Sequence, residues 1–182
     1  MRELKVTYKS SMNKKKVRDF LISYFSFKKV IGLAGPDINI YINHLKHKGY
    51  RNFEIFEKDS SILLKQLITI NSGKNISLIY NDILAADNNR EDTLYDLDFC
   101  CMLSTVSEHI KKFRNNFIIT VSARMGIKAT VDMFFKLRNE IVLSEEEIES
   151  SIKYTRFTTE QGEYLFTQYY DTSAMCCFAK II

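Results

Sequence analysis

Between Lys29 and Ser122 the chain alternates short β-rich apolar runs with stretches whose apolar residues recur every three or four positions. That alternation constrains the fold more than any other feature, because strands separated by helices pair in parallel through right-handed crossovers. The strand-like runs are Lys29 to Ala34, Asn52 to Phe56, Asn75 to Tyr80, Leu94 to Met102 and Asn116 to Ser122. Helical spacing follows the first run in Ile38, Tyr41, Ile42 and Leu45, stopped by Gly49. It follows the second in Ile62, Leu63, Leu67 and Ile70, with Asp59 or Ser60 as cap, and returns in Val106 to Phe113 and Ala129 to Leu137. A further helix is expected from Ser144, where Ser144 and Glu147 make a capping box. The chain closes with Glu163 to Tyr170 and Ala174 to Ile182, two strands joined by Asp171-Thr172-Ser173. The expected architecture is a doubly wound, mostly parallel seven-stranded α/β sheet over 29–182, with a C-terminal antiparallel hairpin. A basic amphipathic helical segment over 1–28 precedes it, in which Val17, Phe20, Leu21, Tyr24 and Phe25 follow Lys14-Lys15-Lys16.

A length of 182 residues suits one domain, and 46% hydrophobic residues suffice for a sizeable core. One Pro and six Gly argue against a many-turned all-β design. No apolar run approaches the ~20 residues of a membrane span, and Met1 to Lys5 lacks a signal-peptide core. A soluble, cytoplasmic chain is expected, and its Lys, Asn and Ile richness hints at an AT-rich genome, a viral one included. The cysteines form two adjacent pairs, Cys100-Cys101 and Cys176-Cys177, whose strand geometry turns neighbours to opposite faces. They are expected to be reduced, with no metal. His44 and His47 lie three apart on a helix and His109 elsewhere, without an acid cluster to complete a metal site. P-loop, serine-hydrolase elbow and zincin patterns are all missing from the sequence.

Ligands of such sheets bind outside the carboxyl ends of the strands, where strand order reverses. Strand one ends in Gly32-Leu33-Ala34-Gly35-Pro36-Asp37, small residues that let a ligand approach the backbone. Strand two ends in Glu57, placed to accept both hydroxyls of a ribose, followed by Lys58 and Asp59. Strand three ends in Asn81-Asp82-Ile83, where the acid suits an adenine amine and Ile83 its ring. Strand four contains Asp96-Leu97-Asp98-Phe99. Together the four ends carry the residue types that a nucleoside-bearing ligand needs.

From Lys29 to Ile182 the chain resembles the class I S-adenosylmethionine-dependent methyltransferases. The resemblance rests on the order of strands and helices, on Gly32 to Asp37 in place of the glycine-rich first motif, and on Glu57. Asp82-Ile83 stands where the third motif would, and Asp96 to Phe99 where the fourth would. It implies S-adenosylmethionine as cofactor, held by Gly32, Ala34, Gly35, Glu57, Asp82, Ile83 and Asp96. It further implies that Asp98 accepts protons of a target amine and that Phe99 stacks on the target. The first motif is degenerate, since only Gly32 and Gly35 remain and Pro36 removes an amide donor. The fourth motif keeps an acid and an aromatic but has no proline.

Two functional expectations follow. The first is methyl transfer to an amine or nucleobase, with nucleic acid as a partner class that Lys14, Lys15 and Lys16 with Arg18 could contact through phosphates. Arg124, ending strand five, is a further candidate for a phosphate or carboxylate, and Tyr169-Tyr170-Asp171 for an aromatic wall. The second is a degenerate methyltransferase-like protein that binds or scaffolds without catalysis.

Overall fold

The computed structural model describes residues 12–70, 75–88, 90–168 and 175–181. Helix α1 (Met12–Ile22) leads into β1 (Lys29–Gly32), α2 (Ile38–His47), β2 (Asn52–Glu57), α3 (Ser60–Thr69) and β3 (Ile76–Tyr80). Then come β4 (Thr93–Met102), α4 (Ser107–Lys112), β5 (Phe117–Ser122) and α5 (Ile127–Arg138). The chain finishes with β6 (Val142–Ile148), β7 (Tyr154–Thr159), β8 (Gly162–Gln168) and β9 (Met175–Lys180).

All nine strands join one sheet in the order β3-β2-β1-β4-β5-β9-β8-β7-β6. The first five are parallel, as alternation with helices requires, and strand order reverses between β1 and β4. The C-terminal strand β9 runs antiparallel to both β5 and β8. Both sheet faces are covered. On one, Val17, Leu21, Ile38, Ile42 and Leu45 of α1 and α2 pack on Val30, Ile55 and Ile118. On the other, Ile110 and Phe134 of α4 and α5 pack on Ile31, Phe117 and Ile119. Burial on two faces is why β5 is buried at every position and shows no polar alternation. Cys176 and Cys177 are buried in β9, where Cys177 Sγ meets Thr120 Oγ1 at 3.1 Å, and burial pushes the Cys176 thiol up.

The structure corrects the sequence reading in one region. The residues from Ser144, expected to be helical, form β6, and Tyr154–Thr159, where no strand was expected, forms β7, so the sheet has nine strands instead of seven. After the capping box only Ile148 and Ile152 stand at helical spacing, among Glu145, Glu146, Glu147 and Glu149, whereas β7 offers a full ladder of partners from Thr159 to Tyr154. A local cap signal and so short an apolar stripe do not outweigh a continuous backbone ladder. The Asp171-Thr172-Ser173 connection, with Tyr169 and Tyr170, lies outside the described residues.

Candidate active site

The loop after β1 is shaped by what stands behind it. A Cβ on Gly32 would lie 2.6 Å from Tyr41 Oη and 2.7 Å from the Asp96 carbonyl oxygen, so only glycine fits. Gly35 has φ +62°, the left-handed region that favours glycine. Its carbonyl accepts a 2.7 Å bond from Nε2 of Gln66, a fully buried side chain of α3. The loop is therefore pinned from below, while Ala34 and Pro36 face a cavity.

Behind Gly32, Asp96 is completely buried. Arg18 of α1 reaches its Oδ2, and the Tyr41 hydroxyl donates to the same atom at 2.8 Å. The guanidinium also lies 5.6 Å from the centre of the Tyr41 ring. Burial raises the Asp96 pKa against the pull of Arg18 and of the Tyr41 hydrogen bond. The Tyr41 hydroxyl is held well above its ordinary pKa, first by burial and then by the Asp96 charge. Two residues further along β4, Asp98 Oδ2 receives Lys14 Nζ at 2.6 Å, with Arg18 Nη1 at 3.7 Å. The N-terminal helix thus folds over the carboxyl end of the sheet and pairs one cation with each acid.

Between α1, α2 and the β1 loop opens a cavity of about 610 Å³. Leu33, Ala34, Gly35, Pro36, Ile40 and Tyr41 supply its apolar wall. Lys14, Lys15, Arg18, His44 and His47 supply cationic or titratable groups, opposed by Asp37 and Asp98. His44 Nε2 lies 3.0 Å from Asp19.

The remaining strand ends lie outside this lining. Glu57 accepts the Asp59 amide at 2.9 Å, and Asp59 in turn caps α3 through Ser61 and Ile62. Asp82 Oδ1 accepts the Leu84 amide at 3.0 Å and lies 2.9 Å from His109 Nε2, while Lys58 reaches Oδ2 at 3.1 Å. Partial burial raises the Asp82 pKa, but these three partners outweigh it and bring the carboxyl to about 2. Ile83 is buried in the core beneath, and the Phe99 ring stands edge-on to the His109 ring at 4.8 Å. Lys16 and Arg124 are exposed. Among the described residues, no group of three His, Cys, Asp or Glu is placed to hold a metal.

The structure therefore brings Gly32, Ala34, Gly35, Asp96, Asp98 and Lys14 together, with Glu57, Asp82, Ile83 and Phe99 at neighbouring strand ends. Sequence reasoning missed the supporting side chains Tyr41, Gln66 and His109. A polar residue inside an apolar helical stripe was the available signal for Gln66, which sits among Ile62, Leu63 and Ile70.

No family model and no curated protein matches the chain. Solved structures do. A SAM-dependent methyltransferase of Leishmania major is similar at TM-score 0.54 and 14% identity, over 92% of this chain and 71% of that one. A tRNA methyltransferase of Aquifex aeolicus is similar at TM-score 0.53 and 13% identity, over 91% and 68%. A Streptococcus pneumoniae protein solved in complex with S-adenosyl-L-methionine is similar at TM-score 0.51 and 10% identity, over 91% and 72%. The chain has the Rossmann-like fold of the class I S-adenosylmethionine-dependent methyltransferases.

Proposed function

We propose that this protein binds S-adenosylmethionine and transfers its methyl group to an amine or nucleobase. The observation that carries the reading is the cavity at the carboxyl ends of β1 and β4, where the strand order reverses. The residues present fit the cofactor. Gly35, with its left-handed φ, keeps the loop backbone approachable where it lines the cavity, and the cations of α1 beside it suit a carboxylate. Ala34 would line the methionine part, Glu57 would take the ribose and Asp82 the adenine, while Ile83, expected to pack on the adenine, is buried in the core and supports that site from beneath. Asp96, buried behind Gly32, would act by fixing Arg18 and Tyr41.

When bound, the cofactor supplies a methyl group already activated on a sulfonium. The chain's own residues then need only bind, align and receive a proton. Asp98 would accept the hydrogen bond of the acceptor amine, with Phe99 flanking it. The exposed Lys15 and Lys16 are placed on α1 to meet phosphates if the acceptor belongs to a nucleic acid.

One observation favours a second reading, binding without transfer. Both acids of β4 are already paired with cations of α1. Calorimetry with S-adenosylmethionine and its demethylated product separates the possibilities. Binding that is lost in Glu57→Ala supports the cofactor site, since a ribose deprived of a charged acceptor forfeits about 1.5–3 kcal/mol. The absence of both heat and thermal shift at millimolar ligand would sink the enzyme reading. Cofactor binding with no methyl transferred to any amine or nucleobase would leave the second.

A further inference from the structure

The contact between Lys14 and Asp98 says more about the acceptor than the fold does. Lys14 Nζ lies 2.6 Å from Asp98 Oδ2, and both residues line the same cavity. Neither side chain is free in solvent, at 25% and 14% exposure respectively. The neighbouring guanidinium of Arg18 bonds Asp96 and lies with Nη1 3.7 Å from Asp98 Oδ2, the longer of the two ion pairs on that oxygen.

We propose that the Asp98 end of the cavity is a subsite for a primary alkylammonium group, which Lys14 fills from within the chain. As an assignment of the acceptor class, this rests on the methyl-transfer reading above, in which the bound ammonium would first give up a proton, to Asp98 or to water, so that its nitrogen lone pair takes the methyl as the sulfur–methyl bond breaks. Charge selects the ligand. A half-enclosed carboxylate forms hydrogen bonds about twice as strong with an ionised donor as with a neutral one, so an ammonium is preferred over the neutral amine of a nucleobase. Shape selects it further. Leu33, Pro36, Ile40 and Tyr41 give the cavity an apolar wall suited to the methylene stem of a lysine-like amine. An outside amine must then displace Lys14, and this internal competition weakens its binding to the intact protein.

The test uses n-butylammonium as probe and sodium at equal ionic strength as control. Binding is followed by calorimetry on wild type, Lys14→Met and the double variant Lys14→Met with Asp98→Asn. Lys14→Met is expected to bind butylammonium at least about tenfold more tightly than wild type, the size of one charge-assisted hydrogen bond. The double variant is expected to lose that gain. A folded Lys14→Met protein with no gain, or a gain that survives Asp98→Asn, overturns the subsite. Should Lys14→Met fail to fold, the wild-type protein decides alone. Butylammonium must then move the NMR resonances of the Lys14 ε-methylene and the Asp98 carboxyl, and unmoved resonances overturn the proposal. Cofactor calorimetry on wild type keeps the two ideas apart. Cofactor binding without the amine gain removes only the subsite, and an amine gain without cofactor binding removes only its methyl-transfer purpose.

Discussion

The Tyr41 hydroxyl donates to Asp96 at 2.8 Å, on the carboxylate oxygen that Arg18 also takes from α1. A helix preceding the sheet is thereby tied to the middle of the central strand through a buried charge. Arg18→Met should cost about 3–5 kcal/mol, because Asp96 would be left in the core without its counter-ion and either stay charged there or be forced to take up a proton. Adding Asp96→Asn should return much of that loss. Urea denaturation of the two single variants and the double variant measures the coupling, and additive losses would show that the pair is not a unit.

Gly32→Ala tests the loop. The added methyl would stand 2.6 Å from Tyr41 Oη and 2.7 Å from the Asp96 carbonyl, and the second neighbour is backbone that cannot swing aside. A destabilisation of about 1–3 kcal/mol is expected. Combining it with Tyr41→Phe should recover only part, since the carbonyl clash persists. An alanine variant with unchanged melting temperature would refute the packing argument.

Asp82 gives a prediction in pH. Its carboxyl sits at about 2, below the ordinary aspartate value of 3.8, so its contribution to stability is complete above pH 4 and is lost as pH falls through about 2. A carbon NMR titration should place the midpoint there. His109→Ala removes one of the bonds that hold the carboxylate ionised, and the midpoint should rise. An unchanged midpoint would show that His109 contributes nothing to Asp82.

At the opposite end of the sheet, Arg138 of α5 gathers the end of α4. It donates to the carbonyls of Ile110 at 3.1 Å, Phe113 at 2.8 Å and Arg114 at 3.0 Å, and to Glu140 at 2.9 Å. Its guanidinium lies 4.9 Å from the centre of the Phe117 ring. Arg138→Met should cost about 3–5 kcal/mol by leaving the buried Glu140 charge uncompensated. Arg138→Lys should rescue little, because one ammonium cannot replace a planar fork of five donors. Full rescue by lysine, measured in guanidinium denaturation, would contradict this account.

Local sequence determined the parallel half of the sheet. Runs such as Lys29 to Gly32 and Phe117 to Ser122, separated by helices of one-sided apolar spacing, leave little choice once crossover handedness is fixed. It also determined where the glycine loop, Glu57 and Asp82 would stand, because a strand's end marks the ligand side of such a sheet. Tertiary structure decided the rest. Ser144 to Ile148 carries a helix cap but becomes part of β6, because the backbone partners that claim it belong to β7. The lysine run of α1 looked like a solvated face or a phosphate grip. In the fold, Lys14 and Arg18 instead turn inward onto Asp98 and Asp96, 84 and 78 residues away along the chain. No local pattern encodes that pairing. Its strength comes from removing the charges from water, and only the folded chain does so.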